Sequence, residues 1–363
     1  MKKHNFSAGP AILPASVIEQ AANAVRELDG IGLSLIEISH RGKEFMAIMS
    51  EAQALVKEIY NLSDEYEILF LQGGASTQFM MIPYNLLDQN DTASYVDTGV
   101  WATKAIKEAK LFGNINVVAS SKDKNYNYIP KNFTVDKNSK YIHITNNNTI
   151  YGTEIPDIDV FDTPLDEYGI PIIADMSSNI FSREINANKY DLIYAGAQKN
   201  MGPAGTTLVA VKKSILGKVS RQIPSMMDYN IHISNESMFN TPSCFAVYVS
   251  MLTMRWVKEQ GGLKGVEAIN KRKANKLYAE IDRNPLFKGT AAKEDRSRMN
   301  ITFVSEQSVH EESFLNVCKD AGIVGLKGHR SVGGFRASTY NALPEESVDV
   351  LIEVMQDFER KNG

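Results

Sequence analysis

Short apolar runs alternate with helical segments over residues 67–211, and this alternation is what most strongly constrains the fold. Strands separated by helices predict a mostly parallel sheet that is covered by helices on both faces. In such sheets, ligands bind beyond the carboxyl ends of the strands. We expect strands at Glu67–Leu71, Ala93–Val96, Ile115–Ala119, Tyr141–Thr145, Pro171–Asp175, Leu192–Ala195 and Leu208–Val211, with helices at Ser76–Leu87 and Trp101–Leu111.

Glycines and prolines divide the rest of the chain. Gly9-Pro10 and Pro14 predict an extended N-terminal arm, and Gly261-Gly262 indicates a helix end and a domain hinge. We therefore predict an arm over residues 1–15, a large domain over 16–260 and a small α+β domain over 261–363. We interpret the basic residues after the hinge as a solvated helix face. Those residues are Lys264, Lys271, Arg272, Lys273 and Lys276. Further helices are expected at Ser16–Leu28, Lys43–Tyr60, Phe245–Gln260, Leu263–Ile281, Glu311–Ala321 and Pro344–Arg360, and strands at Asn300–Val304 and Phe335–Ala337.

Charge and cysteine content exclude several classes of protein. The 363 residues carry a formal net charge of −4, which argues against general binding to nucleic acid or to an anionic membrane. No apolar stretch is long enough to span a bilayer. Cys244 and Cys318 are far apart and lack metal-type spacing, so we predict no disulfide and no metal site, and expect both side chains to be buried. The expected location is the cytoplasm.

A single lysine lies among small residues just after a predicted strand. In Ala-Gly-Ala-Gln-Lys-Asn-Met-Gly-Pro-Ala, residues 195–204, the small neighbours of Lys199 would let a flat ring lie against the backbone. A partly desolvated lysine there would have a lowered pKa and a nucleophilic amine suited to a Schiff base. Upstream, the strand Pro171–Asp175 ends in a carboxylate. A lysine for the aldehyde and an acid for the pyridinium nitrogen are what pyridoxal phosphate (PLP) needs. Alone, Lys199 would be an ordinary loop lysine, so the prediction depends on its surroundings.

Two further features follow predicted strands. The run Gln-Gly-Gly-Ala-Ser-Thr, residues 72–77, joins a strand to a helix start, where backbone N–H groups and the positive helix terminus suit a phosphate. The same run could be simply a tight turn with a helix cap. Trp101 could stack on a bound ring or belong to the core, and we assign Trp256 to the core.

Basic side chains recur beside glycines in His40-Arg41 and in His329-Arg330, followed by Arg336. Arginine binds carboxylate and phosphate groups in bidentate fashion, so these residues would suit a substrate with several negative charges. Scattered surface charges are the alternative. The segment Met238–Pro242 places short polar donors before a proline, which suits phosphate oxygens or simply a turn that leads into a helix.

Taken together, these motifs resemble the phosphoserine aminotransferase family, a group of class V, fold-type I PLP enzymes. The resemblance extends from Asn5 to the C-terminus and is specific, because several of the motifs separate this family from its relatives. The motifs are Gly-Ala-Gln-Lys-Asn-Met-Gly-Pro-Ala-Gly at 196–205, Ser-His-Arg-Gly-Lys-Glu-Phe at 39–45, Ser-Met-Phe-Asn-Thr-Pro at 237–242, Arg-Ser-Arg-Met-Asn at 296–300 and Gly-His-Arg-Ser-Val-Gly-Gly at 328–334.

The resemblance implies a homodimer with a mostly parallel seven-stranded sheet in its large domain. It implies that Lys199 forms the Schiff base and moves a proton between the substrate α-carbon and C4′ of PLP, and that Asp175 pairs with the pyridinium nitrogen. Further implied cofactor contacts are Trp101 on the ring, Thr149 at the ring hydroxyl, Ala75, Ser76 and Gln198 at the phosphate, and Asn240 and Thr241 at the phosphate from the other subunit. Implied substrate contacts are Arg336 at the α-carboxylate, and His40, Arg41, His329 and Arg330 at the side-chain phosphate or distal carboxylate.

The implied reaction is a ping-pong transamination. L-glutamate would leave as 2-oxoglutarate, and 3-phosphooxypyruvate would become O-phospho-L-serine in serine biosynthesis. 4-Phosphohydroxy-L-threonine, a substrate of the family in vitamin B6 synthesis, presents the same groups, so the sequence leaves both open. Some members have Gly-Arg where this chain has Ala75-Ser76, so its phosphate contacts would differ. The acidic segment Tyr151–Tyr168 is interpreted as a surface loop, because its acids lack calcium-loop spacing.

Three alternatives remain at this stage. An alanine–glyoxylate type transaminase takes small uncharged side chains and would not need the His-Arg pairs. A cysteine desulfurase is disfavoured because neither Cys244 nor Cys318 lies in a glycine-flanked loop. A PLP-binding protein without turnover would bind the cofactor but would not exchange amino groups.

Overall fold

A seven-stranded sheet forms the centre of the fold in the computed structural model, which describes residues 3–161, 165, 169–307 and 309–363. In chain order the strands are β1 (His4–Asn5), β2 (Tyr66–Leu71), β3 (Thr92–Asp97), β4 (Asn114–Ser120), β5 (Ile142–Thr145), β6 (Ile172–Asp175), β7 (Leu192–Gly196), β8 (Thr207–Lys212), β9 (Phe287–Gly289), β10 (Asn300–Ser305), β11 (Ile323–Val324) and β12 (Phe335–Ser338). The helices are α1 (Ala15–Arg26), α2 (Lys43–Tyr60), α3 (Gly74–Leu86), α4 (Val100–Ala109), α5 (Tyr229–Ser234), α6 (Cys244–Glu259), α7 (Gly262–Arg283), α8 (His310–Asp320) and α9 (Glu345–Asn362).

The order of strands in the large sheet is β2-β8-β7-β6-β5-β3-β4. Strand β8 runs antiparallel to both of its neighbours, and β3 to β7 are mutually parallel. The predicted fold class, α/β with a mostly parallel sheet, is confirmed. The carboxyl ends of β5, β6 and β7 therefore lie side by side at one edge.

Alternating strand residues supply separate cores on the two faces of the sheet. On β6, Ile172 and Ala174 join a core with α1, α2 and α6, whereas Ile173 faces the core formed with α3 and α4. A third core unites α7, α8 and α9 with the three-stranded sheet β12-β10-β9. Phe6 from the N-terminal arm is fully buried in this third core, and β1 pairs with β11. The arm is thereby held against the C-terminal part of the chain.

Most of the predicted elements are present, with ends that differ by a few residues. The helix predicted over Lys43–Tyr60 is observed over the same residues, whereas the short elements β1, β9, β11 and α5 were not predicted. Among the described residues, no helix is long and apolar enough to cross a membrane. The division into domains at residues 15 and 260 stays a prediction.

Three predictions about individual side chains need correction. Trp256 is only partly buried at the edge of its core, and Cys244 is half-buried, unlike the fully buried Cys318. Lys273, expected on a solvated face, is instead fully buried, because α7 turns that side toward the segment after β12.

Candidate active site

Three parallel strands bring the predicted lysine and aspartate to one edge of the sheet. Asp175 ends β6, Lys199 lies in the turn after β7, and Thr149 follows β5. Because β5, β6 and β7 are neighbours that run in the same direction, the residues that follow them meet in space. Residues 24 or more positions apart in the chain are thus placed around one point by the topology alone.

The side chain of Lys199 is half-buried, and its amine has one hydrogen-bond partner among the described residues. Its Nζ donates to Thr149 Oγ1 at 2.8 Å and lies 5.4 Å from the centre of the Trp101 ring. Burial lowers the pKa of Lys199 to about 8; the charge of Asp175 opposes this shift, and that of Arg336 adds to it. An amine with such a pKa is a nucleophile and a proton carrier close to neutral pH.

The carboxylate of Asp175 is buried beside this amine. Its Oδ1 accepts a hydrogen bond from the Ser177 backbone N–H at 2.9 Å, and Tyr194, its register partner on β7, lies near the carboxylate. Burial raises the pKa of Asp175, and the charge of Lys199 and the contacts with Ser177 and Tyr194 oppose the shift. Sequence reasoning missed Ser177, although an Asp-x-Ser sequence at a strand end is a signal for such a turn.

The N-terminal arm packs against the lysine from the backbone side. Ala11 N–H donates to the Gln198 carbonyl at 2.9 Å. Gly9 has a φ of +136°, and a Cβ there would lie 3.2 Å from Lys199 Cγ. Glycine at this position therefore permits the close approach. The sequence predicted the arm as extended but gave no sign that it reaches the lysine.

The glycine turn before α3 leaves the amino end of the helix open. Gly73 has a φ of +91°, and a Cβ on it would lie 1.8 Å from Thr77 Oγ1, so only glycine fits. No side chain caps the helix; Ala75 is half-buried and Ser76 exposed in its first turn. Free backbone N–H groups at a helix start form an anion site.

Trp101 lies in the first turn of α4, between two cationic side chains. Lys104 Nζ is 4.5 Å from the centre of its ring, and Lys199 Nζ is 5.4 Å from it. The indole Nε1 is buried and has no partner among the described residues. Lys104 was not predicted, although it is three residues after Trp101 and so on the same helix face.

The C-terminal part of the chain contributes a cluster of positive charge. Arg336, on β12, donates from Nη1 to the Thr149 carbonyl at 3.3 Å, and burial lowers its pKa. The pKa of His329 is lowered by burial and by the positive charges of Arg336, Arg330 and Lys104. Mutual repulsion between these groups indicates a site that an anion would stabilise.

The other His-Arg pair is not brought to this cluster within one chain. His40 is half-buried and its Nε2 has no partner among the described residues. The side chain of Arg41 is exposed, and its backbone N–H bonds locally to Ser39 Oγ at 3.2 Å.

The segment that carries Asn240 and Thr241 lies beside the glycine turn of its own chain. Gln72 Nε2 donates to the Thr241 carbonyl at 2.7 Å, and Asn240 and Gly73 line one cavity. The segment leads into α6, as predicted for a turn before a helix. Its predicted contact with a phosphate of the other subunit stays a prediction.

Within the described part of the chain, no group of three or more His, Cys, Asp or Glu residues could hold a metal ion. Asp159 of the acidic segment instead pairs with Lys189. Three other acids of that segment, Asp162, Asp166 and Glu167, lie outside the described residues.

Comparison with known proteins shows the family of the chain. The family described as aminotransferase class-V matches residues 3–351. The chain belongs to this family. It is 59% identical over 362 residues to a phosphoserine aminotransferase of Flavobacterium johnsoniae, covering 99% of this chain and 100% of that one.

Solved structures of class-V aminotransferases have the same fold. A phosphoserine aminotransferase from Bacillus circulans subsp. alkalophilus has a TM-score of 0.95 and 43% identity, covering 100% of this chain and 99% of that one. A PLP-bound phosphoserine aminotransferase from Trichomonas vaginalis has a TM-score of 0.91 and 38% identity, covering 98% of this chain and 100% of that one.

Proposed function

We propose that this class-V aminotransferase uses PLP to transfer the amino group of L-glutamate to 3-phosphooxypyruvate, giving 2-oxoglutarate and O-phospho-L-serine for serine biosynthesis. One observation carries the substrate class: Arg336, Arg330 and Lys104 place positive charge around His329 and beside the lysine–aspartate pair. L-glutamate and O-phospho-L-serine each carry an α-carboxylate and a second anionic group. The name of the relative with 59% identity supports the same substrate.

The residues present fit PLP. The helix start after Gly73 presents free N–H groups for a phosphate, and Trp101 presents an unpartnered Nε1 beside the site. Burial raises the pKa of Asp175, and a pyridinium cation beside the carboxylate would favour its ionised form. PLP, when bound, supplies an electron sink for the carbanion. We therefore assign the phosphate to Ala75, Ser76 and Gln198, the ring to Trp101 and Thr149, and its nitrogen to Asp175.

Lys199 performs the proton transfers in this proposal. Its amine would hold the cofactor through the aldehyde and, when free, would carry the proton that leaves the substrate α-carbon to C4′. A pKa of about 8 lets the amine accept and release a proton near neutral pH. Arg336 holds the α-carboxylate, which orients the α-carbon toward that amine.

We also propose that two copies of the chain form the site. The segment that carries Arg41 exposes Ile31, Leu33, Ile36 and Met46, of which Ile36 is 64% exposed. Apolar side chains clustered in one exposed segment are typical of a surface that another chain covers. A homodimer would bury them and bring His40 and Arg41 to the second anionic group of the substrate bound by the partner.

Mixed dimers test this sharing directly. Chains carrying Lys199→Ala and chains carrying Arg41→Ala are each expected to be inactive alone or nearly so. Co-expressed, they should regain activity, because each mixed dimer contains one site with the intact lysine and the intact arginine. If Arg41 serves its own chain, every site in the mixture is damaged and no activity returns.

The absorbance of the PLP-loaded protein tests the function. Glutamate and O-phosphoserine should each bleach the visible band of the cofactor, whereas serine and alanine should not. Bleaching by alanine but not by O-phosphoserine would indicate an alanine–glyoxylate type transaminase. A visible band that no amino acid bleaches would indicate a binding protein without turnover.

Two finer points belong to the same proposal. 4-Phosphohydroxy-L-threonine has the phosphate and the α-amino acid group that this site would bind, so we propose it as a second substrate, in pyridoxine biosynthesis. We propose the cytoplasm as the location, since Cys244 and Cys318 are both free thiols, as is usual in a reducing compartment.

A further inference from the structure

Two buried polar rings, those of Tyr194 and His143, lie near Asp175 on the strands that flank β6, namely β7 and β5. Tyr194 is the register partner of Asp175 across β6 and β7, and its hydroxyl is near enough to the Asp175 carboxylate that each group shifts the pKa of the other. His143 Nε2 lies 2.8 Å from the same hydroxyl. Tyr194 is fully buried and His143 is 1% exposed, so the chain of contacts from Asp175 to His143 is shielded from water.

The protonation states of Asp175 and His143 fix which group donates in each contact of the series Asp175–Tyr194–His143. An ionised Asp175 only accepts, so the Tyr194 hydroxyl is the donor toward the carboxylate. The Tyr194 oxygen then accepts from His143, which must carry its proton on Nε2. Burial lowers the pKa of His143 to about 3, so the ring is neutral and Nδ1 is bare. In agreement, Nδ1 has no partner among the described residues.

A second pair of rings holds the imidazole in its plane. Tyr95 stacks on His143 with 4.9 Å between ring centres and 20° between planes, and the two are register partners across β3 and β5. Tyr95 in turn shares a hydrogen bond with the Tyr141 hydroxyl at 2.8 Å. Among the described residues, no hydrogen bond or ring contact joins this second pair to Asp175, so the pair serves as a control.

We propose that Tyr194 and His143 are positioning residues that orient the Asp175 carboxylate and stabilise its ionised form for the pyridinium nitrogen of PLP. Simple packing of this layer would need only apolar rings, and burying hydroxyl and imidazole groups is costly unless they are paired. Here the paired groups form one line that ends on Asp175. The inference rests on the proposed function, because it takes the role of Asp175 from there.

Removal of single hydroxyl groups tests the inference. Tyr194→Phe deletes the hydroxyl beside Asp175, and Tyr95→Phe deletes an equally buried hydroxyl in the same layer. We expect Tyr194→Phe to weaken binding of PLP to the cofactor-free protein about tenfold, the usual effect of losing a hydrogen bond to a charged group. The ¹⁵N NMR signal of ring-labelled PLP should shift toward the unprotonated nitrogen. Tyr95→Phe should change neither by more than about twofold.

Two further variants, His143→Phe and Asp175→Asn, distinguish a wrong positioning proposal from a wrong role for Asp175. His143→Phe keeps the ring stacked on Tyr95 and removes the N–H that supports Tyr194, so it should shift the ¹⁵N signal in the same direction by less. It also keeps the test open should Tyr194→Phe not fold. Asp175→Asn should lose PLP affinity more than either.

Asp175→Asn with unchanged affinity and ¹⁵N signal would overturn the role of Asp175 and the proposed function with it. If Asp175→Asn is impaired while Tyr194→Phe and His143→Phe behave like Tyr95→Phe, the positioning chain is wrong and the proposed function stands.

Discussion

Lys199 is half-buried and Lys273 fully buried, and their surroundings differ in a way that separates a reactive group from a structural one. Burial lowers the pKa of Lys199 to about 8 and that of Lys273 to about 7. The larger shift belongs to Lys273, which lies on α7 and has no part in the proposed reaction. A lowered pKa therefore does not by itself identify a catalytic lysine.

The hydrogen-bond partners make the distinction. An ammonium group has three donors. Lys199 uses one of these donors, to Thr149 Oγ1, so the other two are available to a molecule bound in the site. Lys273 is surrounded by backbone carbonyls of the segment that follows β12. Those of Thr339, Tyr340, Asn341 and Leu343 lie at 3.1, 2.8, 3.4 and 3.2 Å from its Nζ.

The largest expected effect is on catalysis by Lys199. Lys199→Ala should lower turnover at least a thousandfold, because it removes both the nucleophile and the proton carrier. The unfolding free energy should change little, since only one side-chain hydrogen bond is lost. Steady-state transamination and denaturant unfolding of the same preparation check both statements. Near-normal turnover would contradict the assignment.

The opposite pattern is expected for Lys273. Lys273→Met keeps the length of the side chain but leaves several buried carbonyls without a donor, which should cost about 2–4 kcal/mol of stability. Lys264→Met, on the exposed face of the same helix, is the matched control and should cost less than about 0.5 kcal/mol. Equal losses in the two variants would show that the carbonyl contacts contribute nothing.

Amine labelling against pH sharpens the comparison between the lysines. A protonated amine is unreactive, so the labelling of Lys199 in cofactor-free protein should rise as pH increases through about 8, below the range of exposed lysines. Lys273 has the lower pKa but should stay unlabelled while the protein is folded, because it is fully buried. Peptide mass analysis after brief labelling measures both. Rapid labelling of Lys273 would refute its enclosed placement.

A smaller effect is expected at the glycine turn. Gly73→Ala should weaken PLP binding about tenfold, because a Cβ there strikes Thr77 and shifts the helix start that we assign to the phosphate. Gly262→Ala is the control: its φ of +67° is also positive, but no atom lies within 4 Å of the added Cβ. It should cost stability without changing the affinity for PLP. Titration of cofactor-free variants with PLP distinguishes the two.

The smallest effect is expected at the partner of Lys199. Thr149→Val keeps the shape of the side chain and removes the hydroxyl, so turnover should fall about three- to tenfold, as for one lost hydrogen bond. Parallel measurement of the labelling midpoint of Lys199 shows whether the hydroxyl also sets its reactivity. A loss as large as that of Lys199→Ala would mean that Thr149 takes part in the chemistry itself.

The sequence predicts the strand ends well because they depend on local patterns. Apolar runs placed Asp175 at the end of β6 and Lys199 after β7. Because these strands are parallel neighbours, the two residues meet at one edge of the sheet. The resemblance added Thr149 and the role of Arg336 at the α-carboxylate, and the structure brings both residues to this edge. Their roles stay predictions.

Features that depend on distant contacts were not predictable. Lys273 lies in a run of basic residues whose exposure differs residue by residue, and only the packing of α7 against the segment after β12 decides which one is buried. Gly9 meets Lys199 through a contact between residues 190 positions apart. Arg41 was predicted at the substrate pocket, but its side chain is exposed in the single chain, and we propose that it serves the site of a partner chain.

Borohydride reduction of the PLP-loaded protein tests the central claim most directly. Reduction fixes the cofactor to whichever lysine binds its aldehyde, and peptide mass analysis then locates it. We predict the modification on the peptide that contains Lys199 and none on the peptide that contains Lys273. Modification of Lys273 or of surface lysines, with Lys199 unmodified, would contradict the account.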